Sequence, residues 1–403
     1  MAMELTARTP AGARLVATAE RLAEELAPRS AGHDRDGTYP FEGIESLRAV
    51  GYFAAPVPAG LGGRGVGSVH DTIVASGRLA RGDASLTIGV NMHLVVTLNI
   101  ARRWRMARAA GDARRERAIA RSLRTIAADG VVMAAAMSEP GQDITRPATT
   151  AVRTESGWRV DGHKIFCTMA PAATVLLTSV RFVDEQGTER YGYAEIPARS
   201  PGVTINDDWD ALGMRASGSH SVTLDAVELP AGALRGGFPA GDAVAYLERN
   251  LASGLFHASA SLGIAESALA RAARPERIGE DARGRMLVAE AVIDLAAARS
   301  AISRAAGLID EHHAANPTTA GGEGEIVALF AEAQAAKAFV GDAAARVVDR
   351  ALALSGGAGY LNGSPLARAY RDVRAGGFMH PLGANRAYEF LGDVALGRRF
   401  ALH

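Results

Sequence analysis

The stretch TTAVRTESGWRVDGHKIFCT, Thr149 to Thr168, decides the fold because its apolar residues alternate with polar ones around a Ser156-Gly157 turn. A second stretch, TVLLTSVRFVDEQGTERYGYAEIP from Thr174 to Pro197, alternates in the same way around another glycine turn. Such alternation is typical of β-hairpins. SHSVTLDAVELP, Ser219 to Pro230, predicts a further strand. Residues 131–235 are therefore predicted to form a compact, β-barrel-like central domain.

The segments on both sides of this β-rich region have helical spacing. From Ala11 to Ala128 apolar residues recur at every third or fourth position, with breaks at His33 to Pro40 and Pro56 to Gly67. Alanine-rich segments after Gly241 predict helices to about Arg274, from Asp281 to His312, from Glu323 to Leu354 and from Asn385 to Leu396. The predicted fold is an α+β multidomain protein with an N-terminal all-helical domain (1–130), the central β-domain (131–235) and a C-terminal four-helix bundle (236–403).

Composition excludes several classes of function. The chain has 403 residues, enough for several domains, and Lys+Arg 44 balances Asp+Glu 44, so no net charge attracts nucleic acid or an anionic membrane. The arginine-rich stretch Arg102 to Arg124 is either a solvated helix face or a dock for CoA phosphates or an acidic carrier protein. Cys167 is the only cysteine, which excludes an internal disulfide and fits a reducing compartment. No run reaches the roughly 18 apolar residues of a membrane span, so we expect a soluble, cytoplasmic protein.

Three motifs in a fixed order resemble those of the acyl-CoA dehydrogenase superfamily of flavoproteins. They are MSEPGQD at Met137 to Asp143, GWRVDGHKIFCTMAP at Gly157 to Pro171, and LGMRASGSHSVTLDAVELP at Leu212 to Pro230. The resemblance implies a flavin oxidoreductase whose isoalloxazine ring lies between the β-domain and the bundle. Such a ring is flat and mostly apolar, and it needs one packed face and a hydrogen-bonded edge. The residues that the resemblance places at the flavin are Met137 and Ser138 at the ring edge, Thr168 near N5, and Phe166 where the family usually has tryptophan.

The segment SGGAGY, Ser355 to Tyr360, resembles the family's glycine pair, at which a neighbouring subunit approaches the dinucleotide. The resemblance implies that Gly356 and Gly357 contact the cofactor and that the protein is a homo-oligomer, either a dimer or a tetramer. The family's glutamine before this pair is Ala353 here, and its Arg-x-x-Phe-Gly loop is reduced, which weakens the expected pyrophosphate clamp. FAD is the expected cofactor, with FMN or loosely held reduced flavin as alternatives.

The position of the catalytic base separates two reactions. Most of the family carries a glutamate where this chain has His380. The isovaleryl-CoA branch instead carries its glutamate in a Leu-Glu-Arg context, which Glu248 and Arg249 of YLERN match. The first hypothesis is therefore α,β-dehydrogenation of an acyl thioester, carried by CoA or a carrier protein. In that reaction Glu248 removes the α-proton, the β-hydride leaves to flavin N5, Arg249 contacts the substrate, and an electron acceptor reoxidises the flavin.

The second hypothesis is a two-component monooxygenase of the same fold. Dibenzothiophene monooxygenases and amino-sugar N-oxygenases resemble the dehydrogenases but take reduced flavin from a separate reductase and need no α-proton base. The dibenzothiophene enzymes have histidines in the N-terminal helical domain and near the C-terminus, to which His93 and His380 roughly correspond. His257, nine residues after Glu248, is expected on another side of the same helix and is discounted. A third possibility is a family member that binds a partner through the arginine-rich helix without turnover.

Overall fold

The computed structural model describes residues 4–141, 143–279 and 281–402. Helices come first, a sheet follows, and helices complete the chain. The predicted three-part fold is confirmed, and the central unit is an eight-stranded mixed sheet. The domain boundaries at 130 and 235 stay predictions, and the last strand of the sheet spans residue 235.

The N-terminal helices follow the predicted periodicity. Thr9 caps the first helix, because its side chain accepts a hydrogen bond from the backbone of Gly12, and Pro10 suits the first helical position. That helix ends at Gly37, whose positive φ of 65° forms the C-cap. The predicted break at His33 therefore comes too early. The helices are α1 (Pro10–Asp36), α2 (Phe41–Ala49), α3 (Val69–Ala80), α4 (Ala84–Ala109) and α5 (Ala113–Asp129).

Helix α4 is the central helix of this part of the protein. By length and composition alone it could cross a membrane, but 83% of its most apolar window is buried inside the protein. Asp83 caps its start by accepting a hydrogen bond from the backbone of Leu86. The helix packs on α3, α5 and the C-terminal helix that begins at Ser253. Its polar residues therefore point into contacts between different parts of the protein.

The sheet contains the two predicted hairpins. Its strands are β1 (Met133–Ala136), β2 (Thr150–Arg153), β3 (Gly157–Lys164), β4 (Val175–Val183), β5 (Glu189–Pro197), β6 (Val203–Ile205), β7 (Val222–Pro230) and β8 (Leu234–Pro239). The strand order is β6-β7-β3-β2-β4-β5-β8, and β1 pairs in parallel with β4. Strands β2 and β3 are antiparallel, as are β4 and β5, which confirms both hairpins.

The four predicted C-terminal helices are present, but the first is interrupted, and three shorter helices that were not predicted lie between the others. They are α6 (Ala243–Arg249), α7 (Ser253–Ala272), α8 (Pro275–Ile278), α9 (Ala282–Ala315), α10 (Glu323–Ser355), α11 (Gly357–Tyr360), α12 (Pro365–Val373) and α13 (Ala384–Ala395). The continuous spacing to Arg274 predicted no interruption at residues 250–252, and this prediction is wrong. Asn250 ends α6 by donating its side-chain amide to the carbonyl of Tyr246 at 3.0 Å, and Ser253 then begins α7.

Candidate functional site

A cavity of about 1190 Å³ lies where the three parts of the fold meet. Strand ends and loops of the sheet form one wall, α4 and α5 form another, and α6, α7 and the segment around residues 374–380 form the third. The volume is slightly above the range of about 300–1,000 Å³ that is typical of small-molecule sites, so the cavity has room for a large ligand or for two ligands. The cavity includes the predicted residues Met137, Ser138, Phe166, Thr168, Glu248, Arg249 and His380 in its wall.

An exposed aromatic ring marks the sheet side of the cavity. The Phe166 side chain is 60% exposed and meets the Trp209 ring edge to face, with 6.1 Å between ring centroids. Phe166, Met169 and Met214 have positive φ angles of 55°, 68° and 53°. Non-glycine residues rarely adopt this conformation, and those that do cluster at ligand sites. This wall therefore presents an open aromatic surface on a constrained backbone.

Hydroxyl groups provide hydrogen bonds beside that surface. Ser219 donates its side-chain hydroxyl to Thr168 Oγ1 at 3.0 Å, and Ser217 Oγ lies 2.7 Å from Ser219 Oγ. The Thr168 hydroxyl hydrogen is then available to a ligand in the cavity. The backbone carbonyl of Ser138 accepts a hydrogen bond from Ile165, which ties the two loops of this wall together.

The segment Tyr370 to Asp372 holds the loop that carries Met214. The buried carboxyl group of Asp372 accepts a hydrogen bond from the backbone of Met214 at 2.6 Å, and burial raises the pKa of Asp372 to about 6. Because Met214 lines the cavity, this contact links the C-terminal helices to the cavity wall that carries Phe166. The open aromatic face and the adjacent hydroxyl donors fit a flat, apolar ring with a polar edge, as a flavin requires.

His380 lines the cavity, and the hydrogen bonds of its ring with the described residues use Nε2 alone. Its Nε2 lies 3.2 Å from Asn250 Oδ1 and 3.1 Å from the hydroxyl of Tyr246. The Asn250 amide nitrogen donates to the backbone, so the oxygen faces the histidine and Nε2 must be the protonated nitrogen. Burial, with the nearby charge of Lys337, lowers the pKa of His380 to about 3. The imidazole is therefore neutral near pH 7, and Nδ1 keeps its lone pair.

His257 also lines the cavity, although the sequence gave reason to discount it. The break between α6 and α7 separates His257 from Glu248, so the two are not on one continuous helix. The side chain is only 6% exposed, and neither ring nitrogen has a hydrogen-bond partner among the residues that the structure describes. The prediction that His257 lies away from the site is therefore wrong.

Glu248 faces away from His380. Tyr246 and Asn250 lie one helical turn apart and both contact His380, whereas Glu248 is two residues from each and about 200° around the helix. The charges that interact with Glu248 are those of Arg102, Arg103 and Arg249. The carboxylate lines the cavity, but on a side dominated by arginines.

Three arginines on this side have no carboxylate within ion-pair distance among the described residues: Arg103, Arg115 and Arg249. The Arg249 guanidinium lies 4.9 Å from the ring centroid of Tyr193 and 4.4 Å from that of Phe238. These stacked contacts hold it in place without neutralising its charge. Burial and the charge of Arg249 lower the pKa of Arg103 to about 10. This end of the cavity is suited to an anion.

His93 lies outside the cavity wall and is fully buried. Its Nδ1 accepts a hydrogen bond from the backbone of Met133 at 3.1 Å, and its Nε2 donates to the carbonyl of Phe53 at 2.9 Å. Both nitrogens are therefore used within the protein. These contacts give His93 a role in joining α4 to β1, in contrast to the predicted role at a flavin.

Gly356 and Gly357 are exposed and do not line the cavity of the single chain. Gly356 has a positive φ of 61° at the end of α10, which explains the glycine there without a ligand. Their contact with the cofactor of a neighbouring subunit stays a prediction.

Family models match three parts of the chain. The acyl-CoA dehydrogenase N-terminal domain matches residues 13–104, the middle domain matches residues 134–227, and the C-terminal domain matches residues 249–381. The chain belongs to the acyl-CoA dehydrogenase family and is a flavin oxidoreductase. The resemblance drawn from its motifs is thereby confirmed.

The relatives include amino sugar nitrososynthases and a putative acyl-CoA dehydrogenase. The chain is 34% identical to the amino sugar nitrososynthase DnmZ of Streptomyces peucetius, over 97% of this chain and 95% of that protein. It is 31% identical to the putative acyl-CoA dehydrogenase YdbM of Bacillus subtilis, over 88% and 90% of the two chains. The solved structure of KijD3 with FMN and dTDP-3-amino-2,3,6-trideoxy-4-keto-3-methyl-D-glucose superposes with a TM-score of 0.88 at 31% identity, covering 99% of this chain and 97% of KijD3.

Proposed function

We propose that this chain is a reduced-flavin-dependent monooxygenase that oxidises the amino group of a sugar carried on a nucleoside diphosphate. The observation that carries the proposal is at position 380, where a neutral imidazole, whose Nδ1 has no hydrogen-bond partner among the described residues, stands in place of the glutamate usual in the family. Similarity over nearly the whole chain to DnmZ, a nitrososynthase, and to KijD3, solved with an amino sugar nucleotide, supports the same class of reaction.

The proposed oxidation of an amine does not need a strong catalytic base. Bound reduced flavin supplies the two electrons with which O2 gives one oxygen atom to the substrate nitrogen and the other to water. The amine must present a free lone pair, but no carbon-bound proton has to be removed. His380 Nδ1 can accept a hydrogen bond from the amine and orient it. The cavity wall at Phe166 and Thr168 would hold the flavin beside the amine.

The arginine end of the cavity suits the diphosphate of the substrate. Guanidinium groups bind phosphates through paired hydrogen bonds, and Arg103, Arg115 and Arg249 are not engaged with carboxylates among the described residues. An anion there would also relieve the repulsion between Arg103 and Arg249. The substrate would then extend from these arginines to His380.

FMN is the flavin that we propose, because KijD3 holds FMN in its complex with the amino sugar. The predicted weakness of the pyrophosphate clamp also favours a flavin without the adenylate half. A separate reductase would deliver the reduced cofactor as a diffusible co-substrate. FAD, the cofactor expected from the family motifs, is the alternative.

The test is a coupled assay with FMN, a flavin reductase, NADH, O2 and a dTDP-linked amino sugar. We expect a product that has gained one oxygen atom, formed only when the reductase is present. His380→Leu should lower turnover by about fivefold or more, because it leaves a buried N–H of the substrate without a partner, which costs about 1–3 kcal/mol. His163→Leu, which changes an exposed histidine outside the cavity wall, is the matched control. Reductase-independent turnover, or none with any amino sugar, would contradict the proposal.

Acyl thioester dehydrogenation is the second candidate, and the presence of Glu248 in the cavity wall favours it. The similarity to YdbM supports the same class. Anaerobic mixing of the flavin-loaded protein with a panel of acyl-CoA compounds distinguishes the two candidates. The dehydrogenase predicts rapid bleaching of the flavin that Glu248→Gln abolishes, whereas the monooxygenase predicts no bleaching.

A further inference from the structure

Lysine is scarce in this chain and occurs only at buried positions. Among the 44 lysines and arginines only Lys164 and Lys337 are lysines, and they are 0% and 6% exposed. A lysine ends in a compact ammonium group that fits a narrow space, whereas the guanidinium group of arginine is broad and planar. At both positions the chain therefore places a compact hydrogen-bond donor inside the protein.

The two lysines differ in how their charge is compensated. Lys164 Nζ lies 2.6 Å from a carboxylate oxygen of Glu139 and donates to the carbonyl of Ser179 at 2.8 Å. Lys337 has no carboxylate within ion-pair distance among the described residues, and burial lowers its pKa to about 7. Burying a cation without a counter-ion costs free energy, which the dipoles of neighbouring carbonyl groups must offset. The carbonyl partners of Lys337 therefore indicate its role.

These partners belong to the segment that carries His380. From α10, Lys337 donates to the carbonyl of Met379 and, at 2.7 Å, to the carbonyl of Leu382. The two carbonyls lie on either side of His380 and Pro381, in a stretch of chain that is neither helix nor strand. Such a stretch has no regular backbone hydrogen bonds of its own to hold it. Whether Lys337 is charged or neutral, it has an N–H bond for each carbonyl.

The ring of His380 is held by a different element. Its Nε2 contacts the hydroxyl of Tyr246 and the side-chain oxygen of Asn250, at the end of α6. Lys337 therefore holds the backbone of this segment from α10, while α6 holds the ring. A shift of residues 379–382 would move the imidazole relative to the cavity and weaken its contacts with α6.

A glycine of α7 allows this close arrangement. A Cβ at Gly254 would lie 3.1 Å from both Gln334 Nε2 and Lys337 Cδ, and 3.5 Å from Pro381 Cδ. The helices α7 and α10 and the segment 379–382 therefore meet at one tightly packed point. This packing leaves little room for a side chain larger than lysine at position 337.

We propose that Lys337 is a positioning residue for the oxidation: by binding the carbonyls of Met379 and Leu382, it sets the place of His380 beside the substrate nitrogen. This inference rests on the proposed function. Lys337 does not line the cavity, so it acts through His380 rather than on the substrate. A misplacement of about 1 Å in a group that orients a substrate can lower the rate by about a hundredfold.

The test is a double-mutant cycle on turnover, in the coupled assay with FMN, reductase, O2 and a saturating dTDP-linked amino sugar. Lys337→Met removes the donors and keeps a similar shape. It should lower kcat by about threefold to tenfold, while the Kd of dTDP changes by less than about twofold. Lys337→Gln, which keeps N–H donors on a shorter side chain, should lose less. In the His380→Leu background, Lys337→Met should lower kcat by less than about twofold, because the side chain that it positions is absent.

Gly254→Ala tests the same contacts without changing the lysine. The added methyl group crowds Lys337 and Pro381, whereas alanine favours the helix, so the variant should fold and lose about twofold or more in kcat. Gly341→Ala, on the same helix as Lys337 and with open space at its Cβ, is the matched control.

A merely structural lysine predicts a different outcome. Unchanged kcat in Lys337→Met or Gly254→Ala would overturn the inference and leave the proposed function standing. An equally large loss from Lys337→Met in the native and His380→Leu backgrounds would do the same, because the lysine would then act independently of His380. A native protein that oxidises no amino sugar would overturn both the inference and the proposed function.

Discussion

His93 and His257 are both buried histidines, but the hydrogen-bonding surroundings of their rings differ. Histidine suits both flavin chemistry and core packing, and the sequence around His93 contains no feature that separates the two. The structure separates them through two backbone contacts, with Phe53 and Met133. The ring of His257 is also buried, but neither of its nitrogens has a hydrogen-bond partner within the described part of the chain. The environment of each ring therefore decides its role.

The first prediction concerns His93 and stability. His93→Leu leaves the Phe53 carbonyl and the Met133 amide without partners, so it should lower the free energy of unfolding at pH 7 by about 2–4 kcal/mol. Turnover per folded molecule should change little. Urea unfolding followed by fluorescence measures the first quantity, with the exposed His163→Leu as control. Unchanged stability with lost turnover would instead support the role at the flavin.

Acid should destabilise the protein through the same residue. Burial lowers the pKa of His93 to about 4, so between pH 6.5 and 4 the unfolded chain binds a proton that the folded chain does not. Stability is then lost as the pH falls through this window, by up to about 3 kcal/mol for this one group. The fall in unfolding free energy from pH 7 to pH 5 should be smaller in His93→Leu than in the native protein. An equal fall in both would show that His93 does not contribute.

Glu248 gives a prediction on which the two candidate reactions differ. As a carboxylate among arginines, it weakens the attraction of those arginines for phosphate, so Glu248→Gln should tighten binding of dTDP severalfold. As a dehydrogenation base, it would instead be essential to turnover and neutral to nucleotide binding. Titration calorimetry with dTDP, beside the turnover assay, distinguishes these outcomes.

At the scale of elements, the hairpins and long helices could be predicted because strong periodicity coincides with glycine turns. Strand β1 was missed because MAAA carries no β-branched residue, and β8 was missed because LRGGFP contains two glycines and a proline. The break between α6 and α7 was missed because the apolar spacing continues across it, and Asn250 ends the helix through side-chain contacts that the spacing does not encode. Because this break was missed, His257 was wrongly expected to lie away from the site.

Only part of the candidate site could be predicted, because several of its residues belong to no family motif. Residues on family motifs, such as Phe166, Thr168 and His380, lie in the cavity wall. Arg103, Arg115 and Lys337 carry no motif, and their importance depends on which carboxylates or carbonyls each one meets in three dimensions. Sequence alone could show that Arg103 and Arg115 belong to an arginine-rich stretch, but it could not separate these two from the solvated members of that stretch.

The elements α4 and α6 bring the arginines together, and this gives a binding prediction. Arg103→Ala and Arg249→Ala should each weaken the affinity for dTDP by about tenfold to a hundredfold, because charge-assisted hydrogen bonds contribute about 1.5–3 kcal/mol. Raising the salt concentration should reduce the difference from the native protein. Arg117→Ala, on the exposed face of α5, is the matched control. Unchanged affinity in both cavity variants would place the anion elsewhere.

At the scale of the whole molecule, the C-terminal helices expose large apolar side chains. Tyr360 is 84% exposed and Leu361 is 66% exposed, next to the glycine pair at Gly356 and Gly357. Exposed apolar groups of this size are typical of protein interfaces. The predicted homo-oligomer, a dimer or tetramer, would cover them.

Light scattering coupled to size exclusion tests this prediction. We expect the native protein to have the mass of a dimer or tetramer, and Leu361→Asp to have a lower mass and a weaker affinity for flavin. Phe41→Asp changes an apolar side chain, 54% exposed, at the other end of the chain and should leave the mass unchanged. A native monomer that binds flavin tightly would contradict the expected subunit contact.

The fate of molecular oxygen tests the central claim most directly. Native protein loaded with reduced FMN is mixed with ¹⁸O2 and a dTDP-linked amino sugar, and the nucleotide sugar is examined by mass spectrometry. The monooxygenase predicts one labelled oxygen atom on the sugar nitrogen. A nucleotide sugar free of label, together with anaerobic bleaching of the oxidised flavin by an acyl-CoA, would contradict the account and identify a dehydrogenase.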